Sequence, residues 1–105
     1  MRLNPRDRRA GPNLGIGMGH FFARRFEEAE ATLLLSQQEI PTWVPTCRFL
    51  ASCYAHMGRL DQARETVKRL RALTNLVVPN AENWRKPEDR ELFLSGLRLA
   101  ASEEQ

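Results

Sequence analysis

The sequence predicts an all-α fold, on three observations. Strand patterning is nearly absent, because no segment alternates apolar and polar residues for long and the one β-branched run, in "NLVVP", is closed at once by Pro79. Apolar residues recur instead at three- and four-residue spacing, the signature of helices with one buried face. The links between the first four such stretches are two to five residues, which makes neighbouring helices antiparallel. A chain of 105 residues, 42% of them hydrophobic, is expected to form one domain with one modest core.

The first helix is expected over 12–23. It carries Gly15, Gly17 and Gly19 in "GPNLGIGMGH", each costing about 1 kcal/mol relative to alanine, so packing must hold it. Glycines two apart suggest a phosphate loop, but the third glycine of a dinucleotide fingerprint and the Lys-Ser/Thr of a Walker loop are missing, and "MRLNPRDRRA" before them is no strand. The second helix, 26–38, places Phe26, Ala29, Leu33 and Ser36 or Gln37 on one face, with Glu27, Glu28 and Glu30 at its positive N-terminal end. The third, 44–57, carries Cys47, Phe49 or Leu50, Tyr54 and Met57, and Gly58 stops it. The fourth, 60–73, repeats the rhythm with Leu60, Ala63, Val67, Leu70 and Leu73 or Thr74, with Asp61 early and Lys68, Arg69 and Arg71 late. The fifth, 87–101, opens on Pro87, Glu88 and Asp89 and presents Leu92, Phe93, Gly96, Leu97 and Ala100.

"ARRFEEAEATLLLSQQEIP" and "MGRLDQARETVKRLRALTN" align without a gap at a separation of 34, Phe26 with Leu60, Ala29 with Ala63 and Leu33 with Val67. This resembles the tetratricopeptide repeat (TPR) family. Leu50, Ala51, Tyr54, Gly58, Leu60 and Ala63 match its leucine, small residue, tyrosine, glycine, aromatic or aliphatic residue and alanine; Ile16, Gly17, Phe26, Ala29 and Pro41 match in the first repeat. Departures are His20 for the tyrosine, Arg24 for the turn glycine, Ser36 for the late alanine and Asn75 for the second terminal proline. On this reading Gly17 lets paired helices approach closely. The resemblance implies a basic arm over 1–9, two TPR-like helix pairs over 10–77, and a linker with a C-terminal capping helix over 78–105. Two repeats are fewer than the about three that bury a continuous core, so the last helix or a second subunit is expected to cover the exposed face of helix 60–73. "AHMGRLDQAR" with the tail is similar to the C-terminal TPR region of some bacterial multidomain signalling proteins, including class III adenylate cyclase-like ones, although no cyclase motif occurs here.

Charge and reactive residues exclude other classes. The net charge of +3 is concentrated early, where Arg2, Arg6, Arg8, Arg9, Arg24 and Arg25 stand against Asp7. Such an arm can touch nucleic acid or an acidic surface, and this is the alternative reading; no groove-reading helix or interleaved aromatics accompany it, and its salt dependence would betray it. Cys47 and Cys53 are six apart, neither a redox pair nor a metal hook, and read as buried packing. Cys53 and His56 share a helix face but lack an oxyanion site, and no spacing supplies further zinc ligands. No enzyme, metal or cofactor is expected. Trp43 and Trp84 are expected to wedge between repeats. With no apolar run near the ~18 residues of a membrane span and no export signal, the cytoplasm is expected.

The resemblance implies a protein-interaction module whose first-of-pair helices line a concave groove. Its lining would be Leu14, Met18, Phe21 and Phe22 from the first helix, and Arg48, Phe49, Ser52 and His56 from the third. Members that clamp a carboxylate tail place Lys and Asn where Leu14 and Met18 stand, so that specificity does not carry over. An apolar floor with one guanidinium suits a protein or peptide partner, an amphipathic helix or extended apolar segment, with Arg48 pairing a carboxylate. The alternative occupants are the chain's own linker 76–86 or a symmetric second copy, as in a homodimer. Phe49, as a central anchor, is expected to matter for binding more than for stability.

Overall fold

The computed structural model describes residues 11–79 and 86–101. All regular structure among them is helical: α1 (Gly11–Phe22), α2 (Phe26–Glu39), α3 (Val44–His56), α4 (Leu60–Leu73) and α5 (Pro87–Ala101). Each boundary lies within a residue of the sequence expectation. The N-terminal arm and Trp84 lie outside the described residues.

α1 with α2 and α3 with α4 form two helix pairs, joined by turns that repeat one another at a separation of 34. In the first turn the Arg24 N–H donates to Phe21 O and the Arg25 N–H to His20 O; in the second the Gly58 N–H donates to Ala55 O and the Arg59 N–H to Tyr54 O. The next helix begins alike in both, Ala29 N–H to Arg25 O and Ala63 N–H to Arg59 O. This pattern satisfies carbonyls that a helix end would leave unpaired, and it requires a left-handed residue. Arg24 has φ +63° and Gly58 φ +79°.

α3 is the central helix, and every residue from Cys47 to Ala55 except Arg48 is buried. Ala29, Leu33 and Ser36 of α2 and Ala63, Val67 and Leu70 of α4 are buried, at the spacing the sequence shows. Ser36, at the late-alanine position, remains polar in the core because its hydroxyl shares a 3.1 Å hydrogen bond with Thr46. Gly17 is buried, and a Cβ there would meet Leu33 at 2.7 Å, so the close approach of α1 and α2 needs glycine. Gly15 and Gly19 face open space.

Two expectations change. Ile16 is 53% exposed whereas Leu50, 34 positions on, is 1% exposed; α1 packs chiefly on α2 and only lightly on α3, so the face that holds Leu50 in the second pair is open in the first. Helix α5 does not chiefly cover α4. It packs mainly against α3 and lightly against α4, because Gly96 lets it sink onto Ser52 and His56.

Candidate functional site

Arg48, Phe49, Ser52 and His56 recur every one to four residues along α3 and so share one face. α5 covers that face. The Ser52 hydroxyl donates to Phe93 O at 2.9 Å. His56 Nε2 lies 2.6 Å from Leu92 O, and since a carbonyl only accepts, this nitrogen carries the proton. Both carbonyls belong to the middle of a helix, where they already accept helical bonds, so the side chains add second donors. A Cβ at Gly96 would come within 2.8 Å of the His56 ring and closer still to Ser52 Oγ.

An aromatic cluster completes the contact. Phe49 and Phe93 have ring centroids 4.5 Å apart at 34°, and Phe49 makes edge contacts with Phe21 at 5.4 Å and Phe22 at 5.7 Å. His56 stacks on Phe26 at 5.3 Å and 14°. Arg48 closes one end: its Nε donates to Val77 O at 3.2 Å and its Nη2 to Leu76 O. Burial lowers the Arg48 pKa from its ordinary value, and the two carbonyls replace part of the lost water.

Among the residues read as groove lining, the structure brings Phe21, Phe22, Phe49, Ser52 and His56 together. Phe21 is completely buried, and Leu14, Phe49 and Ser52 are buried as well. Met18 and Phe22 are partly buried against the core. In this conformation the face is thus an interior surface, floored by α3 and roofed by α5. Arg48 holds linker carbonyls rather than a free carboxylate. The linker contributes those two carbonyls, whereas the apolar occupant is α5.

Sequence reasoning placed Phe93, Gly96 and Leu97 on one apolar face but aimed them at α4. The available signal was Gly96 itself: a mid-helix glycine with no turn to make marks a close crossing, and Ser52 is the small polar residue that meets it.

The thiols are arranged for packing. Cys53 Sγ donates to Phe26 O at 3.2 Å, turned to α2 while His56 reaches α5. Burial raises the Cys53 pKa to about 12, helped by Glu30, and burial raises that of Cys47. A protonated thiol is a poor nucleophile and metal ligand. Among the described residues no group of three or more His, Cys, Asp or Glu could hold a metal ion, and no helix is long and apolar enough to cross a membrane. Trp43 is half-buried at the start of α3, and its Nε1 is buried without a hydrogen-bond partner among the described residues. No protein-family model matches this chain, and no significant match is found among curated proteins or solved structures.

Proposed function

We propose that this chain is a protein-interaction module of the TPR type, whose α1 and α3 side recognises an amphipathic helix. The observation that carries this is the way α5 is held. A helix of the chain's own lies across Phe49, Ser52 and His56, anchored by an aromatic ring and fixed by two side-chain donors on its backbone. Donors aimed at backbone carbonyls read helical conformation rather than one sequence, and Gly96 gives the depth to which a helix can seat. The matching partner helix presents an aromatic residue, a small residue three positions later and leucine next to it, as Phe93, Gly96 and Leu97 do. A partner helix competes with α5, which belongs to the same chain and has the advantage of effective concentration.

The test uses the full chain and a labelled synthetic peptide with the sequence of residues 86–101. Phe93→Ala in the chain loosens the resident α5, so the peptide is expected to bind this variant saturably and more tightly than the unaltered chain. Circular dichroism confirms that the variant remains helical. A Phe93→Ala chain that remains helical and takes up no more peptide than the unaltered chain defeats the proposal.

A further inference from the structure

We draw no further inference here: the strongest candidate, the charge-free outward face of α1 around Gly15, Ile16 and Gly19, is an unpartnered apolar surface, and nothing in the structure shows what covers it.

Discussion

Arg24 and Gly58, 34 positions apart, occupy the same left-handed turn, with φ +63° and +79° and the same pair of backbone hydrogen bonds behind them. The turn demands this backbone whatever the residue, and a side chain with a Cβ disfavours it by roughly 1–2 kcal/mol. Arg24 recovers a little through its own hydrogen bond, Nη1 to Phe22 O at 3.2 Å, in an exposed setting. Arg24→Gly is therefore expected to stabilise the chain by about 0.5–1 kcal/mol after allowing for the greater freedom of glycine when unfolded. Gly58→Ala is expected to destabilise by a similar amount. Urea midpoints at constant slope measure both, and a neutral or destabilising Arg24→Gly would show that the turn is not strained.

The four glycines of the helix interiors should separate cleanly. Gly15→Ala and Gly19→Ala add a methyl into open space and should stabilise by about 0.5–1 kcal/mol each through helix propensity. Gly96→Ala forces a Cβ against Ser52 Oγ and the His56 ring, both tied to α5 carbonyls, and overpacking of about 1–3 kcal/mol outweighs the propensity gain. The net expectation is a loss of about 1–2 kcal/mol, partly relieved by Ser52→Ala in the double mutant. Gly17→Ala should also destabilise, because its Cβ would meet Cγ and Cδ2 of Leu33 at 2.7 Å and Leu33 is completely buried. Thermal melts of the four variants give the ranking, and a stabilising Gly96→Ala would contradict the α3–α5 packing.

The helices were legible because each carries its own period and its own stop signals. Ala29, Leu33, Ala63, Val67 and Leu70 could be assigned to the core from spacing alone, and all five are buried. What spacing does not encode is which neighbour a face meets. The apolar stripe of α5 fits α4 or α3 equally well by periodicity, and the choice turns on a local steric fact, the missing Cβ of Gly96 opposite Ser52. For the same reason Phe21, Phe49 and Ser52 read equally as groove lining or as core. The difference depends on a helix more than 30 positions away in sequence, and Arg48 is spoken for by Leu76 and Val77 for a comparable non-local reason.

Phe49 illustrates the consequence. As an exposed anchor its removal would scarcely alter stability, but it is 4% exposed and touches three phenylalanines from α1 and α5. Phe49→Ala is now expected to destabilise the chain by about 3–5 kcal/mol, the usual cost of emptying an aromatic core site. A chain ending at Val78 removes Phe93 and Leu97 from the same contact and should lose cooperative unfolding as a monomer. Chemical denaturation checks both, and retention of the full-length midpoint by either would show that α5 is not structural.

Alkaline pH should unfold the protein through three buried acids. Burial raises Cys53 from 9.0 to about 12, and burial followed by the hydrogen bond to Glu30 raises Tyr54 from 10.0 to about 12, while Cys47 moves in the same direction. In each case the folded state holds a proton that the unfolded chain has already released, so the unfolded state binds fewer protons and stability falls as pH rises. The window opens near pH 9 with the thiols, steepens near pH 10 as unfolded Tyr54 ionises, and closes near pH 12. Below pH 9 these groups are protonated in both states and contribute no slope. Cys53→Ala removes one titrating group, so its stability should fall less steeply above pH 9 even though packing loss lowers its starting value. The chain has one tyrosine, so tyrosinate absorbance reports Tyr54 alone and should rise together with the loss of helical circular dichroism. Thiol reagents should likewise reach Cys47 and Cys53 only as the helices melt. Ionisation of Tyr54 near pH 10 with the helices intact, or rapid thiol labelling of the folded chain at neutral pH, would show that α3 is not buried as described.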